Sequence, residues 1–391
     1  MSDGLFGPIF ARGEAAAEVT DVAWLQAMLD AEAALAKACA DSELIPRAAA
    51  DAIAVACRAE LYDIDAIGVA AAQSLTPVVP LVEALRREVG TDHAEHVHFG
   101  ATSQDVIDTA AMLVAKRALR PLVADVLAVR AALAMLADEH RLTPLIGRTL
   151  LQQAEPTTFG LKAASWFSGV ADAAYELVIA DESGLLAAQL GGPVGTLAAF
   201  GDKAFDVAEA FANHLELDDP FISWHTARNR PADLAAAIGV LSGALSKVAL
   251  DVALMSQNEI GELREASGPG RGGSSAMPHK RNPVASVAIL AIGKRIPNLV
   301  ATVLGAMAQE HERGAGSWQA EWEPLSQLLA LSGAQLAWAR ELVEGLEVDV
   351  ERMSDNLEAA VLAIGGDPGE IDVGSAPALV ERLLSDALEE D

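Results

Sequence analysis

Between Gly272 and Pro283 the chain reads Gly-Gly-Ser-Ser-Ala-Met-Pro-His-Lys-Arg-Asn-Pro, a dense set of side chains able to do chemistry. The glycines permit backbone conformations closed to other residues, and the prolines fix φ and remove donors. Ser274 and Ser275 thus sit on a pliant segment, joined to a stiff wall that carries Lys280, Arg281 and Asn282. A free serine is a weak base, and it serves as one only where its alkoxide is stabilised by N–H groups and a nearby cation such as Lys280. A Gly/Ser run can also be a plain linker between helices. A phosphate-binding loop is excluded, because no Gly-x-x-x-x-Gly-Lys-Ser/Thr run occurs.

Other polar islands interrupt a largely apolar text. In Gly100-Ala101-Thr102-Ser103-Gln104-Asp105, Thr102 and Asp105 have the spacing that opens a helix. A helix start offers unpaired N–H groups and partial positive charge, so hydroxyls beside it can grip a carboxylate. Gly147 to Thr158 forms a second island, expected as a connection between helices, with Pro156 and two threonines as a helix-start signal. Trp224 to Arg230 and His311-Glu312-Arg313-Gly314 are further breaks. His93, His96 and His98 fit no common metal spacing, and Cys39 and Cys57 read as buried free thiols, so no metal is expected.

These islands need a scaffold, and the composition indicates helices. The 391 residues are 52% hydrophobic, rich in alanine and leucine, and only 4% aromatic. After an extended lead-in over Leu5 to Arg12, helices are expected from Asp21, Arg47 to Arg58, Asp63 to a break at Thr76-Pro77, and Val78 to Val89, ended by Gly90. Further helices are expected over Val106 to Arg120, Pro121 to His140, Phe159 to Asp181, Lys203 to Leu215 and Pro231 to Glu265. Val284 to Arg313, Trp322 to Gly345 and Ala376 to Leu388 complete the set. Long helices with short connections argue for an elongated all-α bundle.

The net charge of −29 excludes nucleic acid and anionic membrane as partners. Ala235 to Met255 could pass for a membrane span, with Gly239 and Gly243 at Gly-x-x-x-Gly spacing. Lys247 and Asp251 interrupt it, and a buried bundle helix is the expectation. Met1 to Gly13 lacks the features of a signal peptide, so a soluble, cytoplasmic protein is expected.

The text Gly-Ser-Ser-x-x-Pro-x-Lys-x-Asn resembles the signature of the fumarase/aspartase superfamily, and Thr102 to Asp105 and Gly147 to Thr158 resemble its first two conserved regions. The likeness runs from about Leu5 to Asn356. It implies an all-α, fumarase/aspartase-like elongated helical bundle, with domains at 1–97, 98–348 and 349–391, the last one shortened. It implies Ser274 as catalytic base with Lys280, and Asn282 on a substrate carboxylate. Thr102, Ser103 and Gln104 line the same site, Arg148 and Arg313 hold remaining carboxylates, and Gln153 orients a small polycarboxylate substrate. It also implies no cofactor, and a homotetramer whose active sites draw the three regions from three subunits. Val97 to Thr109, Gly147 to Lys162 and Gln309 to Arg313 are most similar to the cycloisomerase branch that lactonises 3-carboxy-cis,cis-muconate. Adenylosuccinate lyases carry histidine after Gly-Arg-Thr, where this chain has Leu150. An amine leaves badly unless protonated, whereas opening a lactone releases a carboxylate that needs no acid. The alternative is a β-eliminating lyase that releases fumarate from a substituted succinate of the nitrosuccinate or adenylosuccinate type.

Overall fold

The computed structural model describes residues 4–180, 182–266, 272–273, 277 and 280–390, with side chains to 387. Caps written in the sequence open several helices: the side chains of Thr20, Asp63, Thr158 and Asp349 each accept a backbone N–H from the first turn. The helices are α1 (Gly7–Phe10), α2 (Asp21–Asp41), α3 (Arg47–Ala56), α4 (Ile64–Ser74), α5 (Val78–Val89) and α6 (Ser103–Glu139). There follow α7 (Phe159–Val178), α8 (Ala204–Leu215), α9 (Asn229–Met255), α10 (Val284–Gly293) and α11 (Ile296–Gly305). The last are α12 (Ser317–Ala320), α13 (Trp322–Glu344), α14 (Val350–Ala363) and α15 (Ala376–Glu390). The fold is all-α, as expected, with α6, α7, α9, α10 and α13 packed on one another as its centre. Two small antiparallel pairs accompany them: β1 (Pro144–Thr149) with β2 (Gln152–Thr158), and β3 (Leu263–Arg264) with β4 (Glu347–Val348).

Several boundaries differ from the sequence expectation, each for a physical reason. Pro121 does not start a helix; it lies inside the 37-residue α6. The lost backbone bond there costs about 3 kcal/mol, but Leu119, Leu122, Val126, Val129 and Leu133 keep one buried face running through the proline. The run expected from Val284 to Arg313 breaks at Lys294-Arg295, because Pro297, near the start of α11, cannot donate to a preceding turn. It also ends at Gly305, and Ala308 instead bridges to Ala227. Helix α9 stops at Met255, ten residues before the expected end, where Glu262 folds back to donate its N–H to the Met255 carbonyl. The lead-in contains the short α1 and a 3-10 turn over Glu14–Val19. The island at 147–158 is a β-hairpin: β1 and β2 pair from Pro144↔Thr158 to Thr149↔Gln152. Its polar residues do not betray a strand, because both faces near the tip are exposed.

Asn229–Met255 and Val284–Gly305 are each long and apolar enough to cross a membrane by length and composition. Helix α9 buries Ala235, Ile238, Leu241, Leu245 and Val252 within the bundle, yet Val240 on it is 61% exposed and Leu250 46%. A helix apolar on both sides has more to cover than this chain's own core provides.

Candidate active site

The N-terminus of α6 is the clearest place for an anion. The Thr102 backbone N–H donates to Asp105 Oδ2 (2.9 Å), half of the capping arrangement that the spacing predicts. The Thr102 hydroxyl accepts from Arg313 Nη1 (2.9 Å), and Arg313 Nη2 donates to the Pro193 carbonyl (3.0 Å). These acceptors are neutral, and Arg313 forms no ion pair among the described residues. Ser103 stands in the first turn beside it, part-exposed. A guanidinium without a counter-charge among the described residues thus lies beside a helix start, where the first-turn N–H groups add partial positive charge. That combination binds carboxylates.

Gln104 does not belong to this edge. It is fully buried and donates to His225 O (2.7 Å) and Asp108 Oδ2 (3.1 Å). It begins the buried face of α6, so its side chain points into the bundle. Behind it lies an ionic network that the sequence reading missed. Arg228 grips Asp108 with Nη1 (2.7 Å) and Nη2 (3.0 Å), and reaches Glu321 with Nη2 (2.6 Å). Asp108 also accepts from Trp318 Nε1 (3.0 Å), and Glu321 accepts from Gln309 Nε2 (3.0 Å). Burial alone would lower the Arg228 pKa, but Asp108 and Glu321 hold it above its ordinary value. Burial raises the Glu321 carboxyl, with Arg228 partly offsetting this. The network fixes the segment that carries Arg313 against α6. Its signal in the sequence is only a polar residue inside an apolar run, which spacing alone does not pair with a partner 120 positions away.

The hairpin forms a second group. Arg148 is committed to Glu262 by a bidentate pair (2.8 and 2.7 Å), and Asn356 Nδ2 donates to the same fully buried carboxylate (2.8 Å). Arg148, expected to hold a substrate carboxylate, is paired with Glu262 in this chain, and it braces the hairpin against the β3 stem and α14. Gln153 is exposed on β2. At the tip, Leu150 and Leu151 have φ of 50° and 65° and are 96% and 75% exposed. Left-handed backbone costs a non-glycine residue roughly 1–2 kcal/mol, so two exposed leucines in a turn suited to Asn-Gly are costly as an isolated feature.

The third group follows β3. Glu265 accepts from Ala285 N (2.9 Å), Ser286 N (2.8 Å) and Ser286 Oγ (2.8 Å), which caps α10 from the residue after β3. Gly272 O accepts from both Asn282 N (2.9 Å) and Asn282 Nδ2 (3.1 Å). Gly272 has φ +65°, and a Cβ there would lie 2.8 Å from Asn282 O, so this closure requires glycine. Lys280 is exposed beyond it. Ser274 lies outside the described residues. Within one chain Thr102, Ser103 and Arg313 come together. Among the described residues no hydrogen bond or ion pair joins them to the hairpin, or to Lys280 and Asn282.

Close behind the first group, His98 Nδ1 is 2.6 Å from Oε1 of the buried Glu32, and His98 takes a φ of +62°. Burial alone would lower the His98 pKa, but the Glu32 carboxylate outweighs it and the net shift is upward. A raised histidine pKa contributes stability that is fully present below the unfolded value of about 6.5 and is lost as pH rises through the folded value. The melting temperature of the protein should therefore exceed that of His98→Gln most near pH 6, with the gap closing toward pH 9. A gap that stays constant over this range contradicts the pairing.

With this geometry in place, the relatives are informative. The lyase family model matches residues 11–297. A 3-carboxy-cis,cis-muconate cycloisomerase of Bradyrhizobium diazoefficiens is 46% identical over 358 residues, spanning 91% of this chain and 79% of that protein. A nitrosuccinate lyase of Streptomyces davaonensis is 43% identical over 369 residues, spanning 92% of this chain and 77% of that protein. The crystal structure of 3-carboxy-cis,cis-muconate lactonizing enzyme from Pseudomonas putida matches with a TM-score of 0.87 at 40% identity, covering 99% of this chain and 88% of that one. The resemblance carried by Thr102 to Asp105, Gly147 to Thr158 and Gly272 to Asn282 thus extends over sequence and fold alike, and the chain belongs to the lyase family of the fumarase/aspartase superfamily.

Proposed function

We propose that the chain is a 3-carboxy-cis,cis-muconate cycloisomerase that forms 4-carboxymuconolactone in aromatic catabolism. One substrate carboxylate oxygen bonds to a carbon of a C=C unit, and the displaced π pair makes a carbanion α to another acid arm, delocalised as an enediolate. A proton from Ser274 completes the addition. Lys280 and the helix start at Thr102-Ser103 offset the enediolate charge, and Arg313 holds a further carboxylate. The observation that carries the reading is the unneutralised Arg313 beside the start of α6. Choice within the superfamily rests on Leu150, an aliphatic residue where an amine-releasing lyase needs a proton donor.

Assembly as a cytoplasmic homotetramer is part of the proposal. Among the described residues of one chain no bond joins the three groups, and the hairpin tip and Val240 on α9 are exposed. Other copies would cover these apolar surfaces and complete each site. Arg313→Gln retains a donor toward Thr102 but removes the charge, and should raise KM about tenfold or more. An unchanged KM contradicts the carboxylate role.

A second reading, nitrosuccinate elimination, is favoured by the 43% identical lyase. Nitrite, like a carboxylate, leaves without help from an acid. Product analysis separates the two. Lactone from the muconate without fumarate from nitrosuccinate supports the cycloisomerase, and the reverse outcome supports the lyase.

A further inference from the structure

The Thr102 and Arg313 edge is assembled on a single buried carboxylate. Asp105, 1% exposed, uses both oxygens twice: Oδ1 accepts from Gly191 N (2.9 Å) and faces His225 Nε2 (2.7 Å), while Oδ2 accepts from Thr102 N and Gly192 N (each 2.9 Å). A carboxylate only accepts here, so His225 Nε2 carries the proton and donates it. Gly191 approaches closely enough that a Cβ would meet His225 Cε1 at 2.9 Å. The loop fixed in this way places the Pro193 carbonyl that holds Arg313 Nη2, and the turn fixed in this way places the Thr102 hydroxyl that holds Nη1. The next residue, Thr226, donates to His311 O (3.0 Å), two positions before Arg313.

Taken together, we infer that His225 is a positioning residue: its hydrogen bond to Asp105 sets the 191–193 loop and the start of α6 in the register at which Arg313 and Thr102 receive a substrate carboxylate. His225 is 4% exposed and its ring is hydrogen-bonded to Asp105, through which it acts. Removal of its donor leaves Oδ1 with the Gly191 N–H alone, and the buried carboxylate then draws the loop or the helix start toward itself. A displacement of about 1 Å in a binding edge can lower turnover efficiency about 100-fold.

This inference rests on the carboxylate-binding reading of the edge, so the test carries a readout independent of turnover. His225→Phe keeps the ring and removes the donor, whereas His225→Gln places an amide N–H near the Nε2 position. Each variant, in its wild-type oligomeric state, is assayed for muconate turnover and for tricarballylate affinity by calorimetry. The expected result for His225→Phe is a KM rise of at least about tenfold and a matching loss of tricarballylate affinity, with His225→Gln recovering most of both. Should His225→Phe not fold, His225→Asn, too short to reach Asp105, carries the same expectation. Wild-type values in the donor-less variant, or no recovery by glutamine, overturn the inference. A wild-type protein that binds tricarballylate but does not turn over the muconate refutes the cycloisomerase and leaves the positioning test intact. A wild-type protein that does neither overturns both.

Discussion

Ser274→Ala is expected to lower turnover at least about 1000-fold, in the upper part of the range for loss of a positioned acid–base group, while tricarballylate binds as in the wild type. The separation follows from the division of labour. In the proposed mechanism carboxylate recognition falls to the start of α6 with Thr102 and Arg313, which are 211 positions apart in sequence yet bonded directly. The proposal assigns proton delivery to Ser274; of the residues flanking it, Glu265 caps α10 and Asn282 bonds Gly272. Alanine at 274 leaves both clamps in place. It removes only the group that moves the proton, so kcat falls and ligand affinity does not. A variant with wild-type turnover removes Ser274 from the mechanism. One that loses binding in step with turnover makes it a substrate ligand.

Arg228→Leu is expected to destabilise the fold by about 3–5 kcal/mol, as when one member of a buried ion pair is removed. Asp108 and Glu321 are 2% and 3% exposed at the side chain, and each would retain a charge with its principal counter-charge gone. Trp318 and Gln309 would still donate to them, which moderates the loss without neutralising either carboxylate. By contrast, Arg47→Leu breaks an exposed pair with Asp41 and should move the thermal midpoint little, since exposed pairs are screened by solvent. Thermal melts of the two variants side by side test the contrast. Equal midpoints contradict the assigned role of the buried network.

The fold class was legible because alanine-rich apolar stripes of helical period dominate the chain, and because Thr158 and Asp63 mark helix starts by their chemistry. The pairing of Thr102 with Asp105 was legible for the same local reason. What the sequence concealed was long-range. Arg148 looks like any other arginine in a polar island, and only the fold brings Glu262 and Asn356 to it. Gln104 sits among site residues in sequence but faces the core, because a helix separates neighbours by about 100°. Pro121 misled because its local cost was weighed without the buried face that spans it. His225 carried no signal, since its role depends on Asp105, 120 positions away.

Ultraviolet absorbance of 3-carboxy-cis,cis-muconate, followed after addition of the purified protein, decides whether the chain is a cycloisomerase. The account predicts rapid loss of the diene band, formation of the lactone, no fumarate, and no such loss with Ser274→Ala. A persistent diene band in the presence of folded, assembled protein contradicts it, and fumarate release from nitrosuccinate by the same preparation would assign the site to elimination instead.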